Sequence, residues 1–377
     1  MTYRSKILAL VVVLTGTLAT PAEAAPAESS DSVPGFNGTV LTVAYSGGTI
    51  FVGGDFTAAI VQGRSIRRTR LAAVNAYTGE LLPWAPAADG RVKALAVSGS
   101  AVYLGGDFGS VNGQRRDSLA RVDAGSGALS GTFRHSVDGR PYALVAAHGR
   151  LYAGGSFTAI DGRARSRLAA FDLDSGELDG NWRPRADDQV ETLAAAGGRI
   201  YAGGTFHRIN GSTGYDRLVA LHPAAATIVS GFRPRASVVV FGIAATPDGV
   251  FTAGGGRGGT ASAYSPSGSR RWTATFDGDA QAIATLGGSV YVGGHFDNAC
   301  RTARTGDRGV CLDGSDRRVK IASLSAADGH LHDWRADANG IEGVLTMAAS
   351  AGVGAFAAGG TFTAVDGRSQ QRLAQFS

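Results

Sequence analysis

The chain has 377 residues, of which 44% are hydrophobic and 18% are charged, a composition that excludes an intrinsically disordered protein. Its 56 glycines follow no Gly-X-Y period, which excludes a collagen-like fibre. The formal net charge of +5 becomes +4 when residues 1–24, with Arg4, Lys6 and Glu23, are removed. So small a charge on a chain of this length argues against a nucleic-acid partner.

The N-terminal residues have the pattern of a secretory signal peptide. Arg4 and Lys6 precede the apolar run ILALVVVLTGTLA, and Ala22-Glu23-Ala24 provides an A-x-A cleavage site. The run is too short for a membrane span, and no second such run follows. We therefore predict a signal peptide over 1–24, a disordered linker over 25–31, and a secreted monomer without a membrane span.

A motif with two adjacent glycines recurs along the rest of the chain, and its first glycines lie 39 to 66 residues apart. In the fifth copy Arg257 replaces the phenylalanine that ends the others. Self-similarity at this period is typical of repeat architectures. The seven copies are TIFVGGDF (49–56), AVYLGGDF (101–108), RLYAGGSF (150–157), RIYAGGTF (199–206), VFTAGGGR (250–257), SVYVGGHF (289–296) and AFAAGGTF (355–362).

Each copy is flanked by short segments in which apolar and polar residues alternate, with turn-forming residues between them. Together with the glycine motif, these segments predict four strands per copy. Four antiparallel strands per period, seven times over, predict an all-β, seven-bladed β-propeller over 32–377. The last copy stops after its third strand, while SVPGFNG (32–38) resembles the fourth strands of other copies. We expect this N-terminal strand, with Phe36 as its aromatic residue, to complete the last blade and close the ring.

The glycine pair has two possible readings. A phosphate-binding loop requires a helix N-terminus directly after the glycines, and no helical pattern follows. A glycine within a strand also marks a bulge or the close approach of another backbone. We expect the pairs to let neighbouring blades pack closely.

The repeats resemble the delta-sixty-type repeats of secreted bacterial β-propellers. The resemblance rests on Y-x-G-G-x-F, then R-L-A-x-x-D, then T-G-x-L and an aromatic-x-Pro, and it covers about residues 32–377. It implies the propeller fold. It supplies no catalytic motif and no cofactor, and we expect none.

The loops that join fourth to first strands are rich in acidic residues. Arranged as a ring around a channel mouth, they would bind a cation, sugar hydroxyls or a basic peptide. Asp and Asn are also common turn residues that bond their own backbone. The candidates are Asp89, Asp138, Asp187, Asp188, Asp279 and Asp337.

The loops that join second to third strands are rich in arginine. A guanidinium pairs bidentately with carboxylates, phosphates and sulfates, so such a belt would bind an anionic ligand. Arg70, Arg167, Arg217 and Arg372 recur just before the third strand, which favours a structural role for these four. The residues expected to be available for binding are Arg67, Arg68, Arg115 and Arg116.

Two histidines fall in loops on the same face. If the protein were an enzyme, His135 and His207, paired with Asp138 or Asp187, would act as general bases. No Ser-His-Asp or H-E-x-x-H signature supports this alternative, and no spacing predicts a metal site.

Cys300 and Cys311, the chain's two cysteines, lie in an insertion of the sixth repeat, at about 297–316. In an exported protein two nearby cysteines predict a disulfide. Together the features predict a secreted, non-catalytic binding protein for a glycan or an anionic cell-envelope polymer. The alternatives are an exported polysaccharide hydrolase or lyase and a protein–protein scaffold.

Overall fold

A computed structural model describes residues 25–377, so the predicted signal peptide lies outside the described residues. Within this range every regular element is a β-strand, except one 3-10 turn at Asp307–Gly309. The strands fall into the seven repeats of the sequence.

The first repeat contains β1 Gly35–Phe36, β2 Val40–Ser46, β3 Thr49–Gly54, β4 Ala58–Val61, β5 Arg64–Arg67 and β6 Leu71–Asn75. The second contains β7 Arg91–Ser98, β8 Ala101–Asp107, β9 Ser110–Val111, β10 Gln114–Arg115 and β11 Leu119–Asp123. The third contains β12 Val137–Asp138, β13 Pro141–Ala147, β14 Arg150–Gly155, β15 Ala159–Ile160, β16 Arg163–Ala164 and β17 Leu168–Asp172.

The fourth repeat contains β18 Val190–Ala196, β19 Arg199–Gly204 and β20 Leu218–Leu221, and the fifth contains β21 Val239–Thr246, β22 Gly249–Gly255, β23 Gly259–Tyr264 and β24 Arg270–Phe276. The sixth contains β25 Ala280–Leu286, β26 Ser289–Gly294, β27 Asn298–Cys300, β28 Ser315–Arg317 and β29 Ile321–Ser325. The seventh contains β30 Val344–Ser350, β31 Ala355–Gly360, β32 Ala364–Val365, β33 Arg368–Ser369 and β34 Leu373–Phe376.

Each repeat forms an antiparallel main sheet with its strands in chain order, as in β2-β3-β6 and β13-β14-β17. The predicted fourth strand is a full strand only in the fifth repeat, as β24. In the first four repeats and the sixth, the corresponding segment pairs through a single bridge, such as Val122 with Leu129. The expectation of four regular strands in every repeat is therefore wrong, because prolines and turn residues leave these segments only one paired position.

The first strands of the main sheets contact one another in the order β2, β7, β13, β18, β21, β25 and β30, and β30 contacts β2. They line a common channel. In every repeat except the fifth, the first glycine of the pair lies against a side chain of the next repeat. A Cβ on Gly154 would lie 2.6 Å from Cγ1 of Val190 in the next repeat, and one on Gly359 would strike Val40. The expected role of the glycines in close sheet packing is confirmed.

Buried aromatic residues join each main sheet to the next repeat. Trp84 packs edge-on against Phe51 of its own sheet, with ring centroids 5.0 Å apart. Its indole N–H donates to the carbonyl of Asp123 in the second repeat. Trp182 makes the same kind of bond to the carbonyl of His222. The apolar core is therefore continuous between sheets, and one hydrogen bond fixes each tryptophan in it.

Residues 25–31 are not the predicted disordered linker. Asp31 N–H donates to the carbonyl of Gln375, and Ala27 N–H to that of Ser377, so the segment lies along β34. The indole of Trp334 donates to the carbonyl of Pro26. The N-terminal segment therefore supplies backbone partners that β34 would otherwise leave unpaired.

The prediction that Phe36 lies in the segment beside the last strand is wrong, although its N–H donates to the carbonyl of Gln371 in the seventh repeat. Phe36 belongs to β1, which pairs with β4 of the first repeat, and its ring lies 4.4 Å from that of Phe56. The equivalent pair is Phe276, at the end of β24, and Phe296 of the sixth repeat. The residues that run beside β34 are those before Phe36, which lack the aromatic signal used in the sequence comparison.

Small antiparallel hairpins extend from one end of the main sheets. They form where second-to-third loops were expected, as β4-β5, β9-β10, β15-β16, β27-β28 and β32-β33. Each begins at the end of a second strand, which pairs with the start of the first strand. We call these five the outer hairpins; they lie at the same end of the sheets as the starts of the first strands.

Candidate functional site

Near the starts of the first strands the channel opens into a cavity of about 500 Å³. In each main sheet the register shifts by one residue near the start of the first strand, and this bulged residue has no partner on the second strand. A bulge re-aims the side chain of its extra residue. Here the bulged residues all line the cavity, and we call them the mouth ring: Leu41, Lys93, Tyr142, Glu191, Phe241, Gln281 and Leu345.

Below the ring the channel narrows to a cavity of about 240 Å³. It is lined by the ring residues and by the residues that follow them on the first strands, such as Thr42, Ala94 and Met347. The mouth therefore has room for a ligand group of several atoms, and the channel beneath it accepts little more than one side chain.

Lys93 is already paired within the protein. Its Nζ lies 3.1 Å from Oδ2 of Asp107 and 5.0 Å from the centroid of the Tyr142 ring. Arg140 shares the same carboxylate, with Nε 2.9 Å from Oδ1 of Asp107. Both cations on this side of the mouth therefore have a carboxylate partner, which they share.

Glu191 differs from Lys93 in having no partner. Its carboxylate makes no ion pair or side-chain hydrogen bond with the residues that the structure describes. Burial raises the pKa of Glu191; Lys93 lowers it, and Asp188 raises it further. An anion held in this way is stabilised by any cation that reaches it.

The mouth ring was missed in the sequence analysis, because its residues share no chemistry. A positional signal was present, however. In the first four repeats and the sixth, the ring residue lies twelve positions before the first glycine of the pair, as Lys93 does before Gly105. An alignment of the repeats on their glycines places these residues at one shared position, where the side chain differs from repeat to repeat.

The predicted acidic ring does not converge on the channel. Oδ1 of Asp89 accepts hydrogen bonds from the N–H groups of Gly109 and Ser110, where an outer hairpin begins. Asp187 does the same for His207 and Arg208. Burial acts to raise the pKa of Asp187, but these hydrogen bonds hold it below its usual value. These carboxylates are turn-stabilising groups, which is the alternative reading of the sequence.

The other four acidic candidates have separate partners. The Asp138 carboxylate accepts from the hydroxyl of Thr158, and Asp337 from the N–H of Val319. Asp279 accepts from the N–H of Gly256 in the preceding repeat. Asp188 is exposed and bonds only its neighbour's N–H. Of the six candidates, Asp188 and Asp279 lie closest in sequence to ring residues.

Two of the four arginines expected to bind ligand are structural. Arg116 is 2% exposed, and its guanidinium donates to the carbonyls of Arg115 and Ser130. Arg68 makes the same two bonds, to Arg67 and Leu82. The prediction that these guanidiniums are available is wrong, since each ties an outer hairpin to the irregular segment after the third strand. The equivalents in other repeats are Arg165 and Arg318.

Arg67 and Arg115 are exposed on β5 and β10, as a ligand-binding role requires. The arginines expected to be structural share a left-handed backbone conformation, with φ between 60° and 68°. Arg70 donates to the carbonyl of Phe56, and Arg372 to that of Phe36. Their recurrence therefore reflects one repeated turn.

The two histidines do not form the predicted pairs. Nδ1 of His135 lies 2.8 Å from Oδ2 of Asp161, and its Nε2 lies 2.9 Å from the carbonyl of Gly176. In the second repeat Asn112 alone makes the equivalent links. Nδ1 of His207 faces Asp216, while Asp187 binds only the backbone N–H of His207. The structure thus does not assemble His135 with Asp138, or the His207 ring with Asp187.

Cys300 and Cys311 form the predicted disulfide. The loop that it closes folds toward the fifth repeat, where a short glycine turn replaces the outer hairpin. The two backbones meet closely: a Cβ on Gly258 would lie 3.0 Å from Cα of Gly309. The enlarged sixth repeat therefore covers the position that the fifth leaves open.

Two further features concern residues 25–377 as a whole. No three His, Cys, Asp or Glu side chains in this range are placed together so as to hold a metal ion. No helix in it is long and apolar enough to cross a membrane.

No family model matches the sequence, and no curated protein matches it either. Among solved structures, the WD40 β-propeller domain of Doa1 has a TM-score of 0.58 at 12% identity, covering 93% of this chain and 96% of that one. A chain of the Mitotic Checkpoint Complex has a TM-score of 0.59 at 15% identity, covering 97% and 98%. The β-propeller domain of Cps50 (Swd1) from Myceliophteria thermophila has 0.55 at 9%, covering 91% and 98%.

The fold is a β-propeller. At these identities the likeness shows the fold alone. The resemblance to delta-sixty-type repeats stays a prediction, since no family match tests it.

Proposed function

We propose that this chain is an exported, non-catalytic binding scaffold, a closed propeller of seven blades that captures its ligand at the mouth ring. The observation that carries the proposal is the ring itself. Seven structurally equivalent positions carry apolar, aromatic, basic, acidic and amide side chains around one cavity. A ring of varied side chains is a surface that one asymmetric ligand would match and a symmetric structural contact would not.

Several features support the architecture in this proposal. The first strands contact one another in a cycle that includes β30 with β2, and residues 25–31 lie along the last strand. Export is supported by the signal-peptide pattern and by the disulfide, since disulfides persist in oxidising compartments. The role as a scaffold is supported by analogy of fold, since one similar propeller belongs to a multiprotein complex.

A second candidate places an anionic glycan or envelope polymer on the outer hairpins. Exposed Arg67 and Arg115 favour it, because neither guanidinium forms an ion pair within the part of the chain that the structure describes. The two candidates use different residues on the same face and are therefore separable by mutation.

The test is selection and array binding with the chain 25–377. The immobilised protein is screened against a displayed peptide library, a glycan array and purified cell-wall polymers. Binders are then measured with Phe241→Ala and with the double variant Arg67→Ala/Arg115→Ala. We expect Phe241→Ala to weaken the selected binders about tenfold or more, as loss of an aromatic anchor does, and the double variant to leave them unchanged.

Two results would decide against the mouth. Glycan binding that survives Phe241→Ala and falls with the arginine variant supports the second candidate. Binders that are indifferent to Phe241 and to a second ring variant, Leu345→Ala, would remove the mouth ring from the binding surface.

A further inference from the structure

The charges around the mouth are unevenly compensated. Arg91 pairs with Asp55, at 3.1 Å, while Lys93 and Arg140 both pair with Asp107. These three cations all lie in the second and third repeats, and each has a carboxylate within ion-pair distance. An anionic ligand would have to compete for them with carboxylates that are already in place.

Four acidic groups in other repeats have no ion-pair partners among the described residues. Asp188, Glu191, Asp279 and Glu342 lie on or just before the first strands of the fourth, sixth and seventh repeats. None forms an ion pair with the residues between 25 and 377. Of the two charged residues that line the cavity, Lys93 has an ion-pair partner and Glu191 has none among residues 25–377.

Glu191 has the most developed setting of these four. In the ring it stands between Tyr142 and Phe241, and it is partly buried, whereas Asp188 and Glu342 are exposed. Aromatic faces attract cations within about 6 Å of the ring centroid. The Tyr142 ring already has one cation, Lys93, near its face. A carboxylate flanked by two aromatic rings offers a second cation an ion pair and a cation–π contact together.

We propose that the mouth ring takes a lysine or arginine side chain projected from a peptide segment of a partner. The inference rests on the proposed function and names the chemistry of its ligand. The apolar stem would pack on Leu345, Phe241 and Leu41, and the cationic head would meet Glu191. The narrow channel beneath admits one such side chain, so the partner's backbone would stay on the mouth face.

Met347 provides a site-specific probe. It lines the channel just below the ring, and the only other methionine in the sequence is Met1. In the chain 25–377 labelled with [methyl-13C]methionine, the Met347 methyl signal reports on the channel. The signal is titrated with capped pentapeptides Gly-Gly-Xaa-Gly-Gly, where Xaa is lysine, arginine, norleucine or glutamate. Norleucine preserves the apolar stem of lysine without the charge.

We expect the lysine and arginine peptides to shift the Met347 signal saturably, with dissociation constants at least about fivefold below that of the norleucine peptide. Glu191→Gln should weaken the lysine peptide by a similar factor and leave the norleucine peptide unchanged. The matched control Glu177→Gln, in an exposed turn after the third strand of the third repeat, should change neither. The free Met347 signal shows that each variant is folded.

Other results would overturn the inference. Equal affinity for lysine and norleucine, or tighter binding of the glutamate peptide, would mean that the mouth does not select a cation, while its role as a ligand site would stand. No shift with any peptide up to 10 mM, a concentration of the order at which single-residue contacts saturate, would also overturn it. The library selection with Phe241→Ala then decides separately whether the proposed function survives.

Discussion

The outer hairpins and the mouth ring lie at the same end of the sheets but differ in how their residues repeat. In four of the five hairpins, the residue that follows the hairpin is an arginine with the same kind of partners: Arg68, Arg116, Arg165 and Arg318 each donate to two backbone carbonyls. In the ring, equivalent positions carry different side chains, and Glu191 has no partner. In a repeat protein, uniformity at a position therefore indicates a structural contact, and variation at a shared position indicates a surface specialised for a ligand.

The largest expected effect tests the structural half of this comparison. Arg116→Ala removes two charge-assisted hydrogen bonds in a buried site and should lower the free energy of unfolding by about 3 kcal/mol. The neighbouring, exposed Arg115→Ala should change it by less than about 0.5 kcal/mol. Urea unfolding followed by tryptophan fluorescence measures both. Equal effects of the two substitutions would contradict the assignment of Arg116 as structural.

The outer hairpin β27-β28 differs from the other four because its loop contains the disulfide-closed insertion. The loop that the disulfide closes is short, with the cysteines 11 positions apart, so chain entropy predicts that the double variant Cys300→Ser/Cys311→Ser loses about 2.8 kcal/mol. Because the insertion covers the fifth repeat and contributes nothing to the mouth ring, binding at the mouth should not change. Thermal unfolding and the Met347 titration test the two statements. Loss of peptide binding would mean that the insertion belongs to the site.

The pH dependence of cation binding tests the other side of the comparison, the proposed ligand binding at the mouth ring. The pKa of Glu191 is raised, so its carboxylate takes up a proton as the pH falls, earlier than an exposed glutamate does. The charged and titratable groups facing it are Lys93 on β7, Tyr142 on β13 and Asp188 just before β18. Affinity for the lysine peptide should fall about fivefold between pH 7 and pH 4, because the ion pair between Glu191 and the peptide's lysine is partly screened by solvent.

Glu191→Gln supplies the reference for that titration. Its affinity for the lysine peptide should be low and nearly independent of pH in the same range, because the amide does not titrate there. A variant that kept the full pH dependence would assign the titration to Asp188 or another acid instead.

The smallest expected effect concerns stability. A carboxyl group whose pKa is higher in the folded than in the unfolded chain favours folding while it is protonated, and that contribution is lost as the pH rises through the folded pKa. Glu191→Gln should therefore stabilise the protein at pH 7, by a few tenths of a kcal/mol after solvent screening. The gain should disappear at pH 3, where Glu191 is protonated in both states. Denaturant unfolding at the two pH values measures it, and destabilisation at pH 7 would contradict an unpaired Glu191.

Much of the fold was predictable, because it rests on local patterns that recur. The alternating segments predicted the main sheets, and the glycine pairs predicted close approach between them, as Gly154 against Val190 shows. The disulfide was predictable from two neighbouring cysteines. The regular fourth strands were predicted wrongly, because a segment held by a single bridge resembles a strand in sequence. The position of Phe36 was predicted wrongly, because an aromatic residue is found both in the fourth segment of a repeat and in the short strand just before the next first strand, as Trp272 and Phe276 are.

The candidate site was much less predictable. Arg115 and Arg116 are adjacent and chemically identical in the sequence, and only the direction of the side chain decides that one is exposed and the other is buried against two carbonyls. The sequence by itself determined the repeating sheets, their glycine-dependent packing and the covalent link in the sixth repeat, because each depends on residues near in sequence or copied in every repeat. The tertiary structure alone decided that Glu191 stands between Tyr142 and Phe241, since these residues lie about 50 positions apart and meet only where a bulge in each first strand turns one side chain toward the channel.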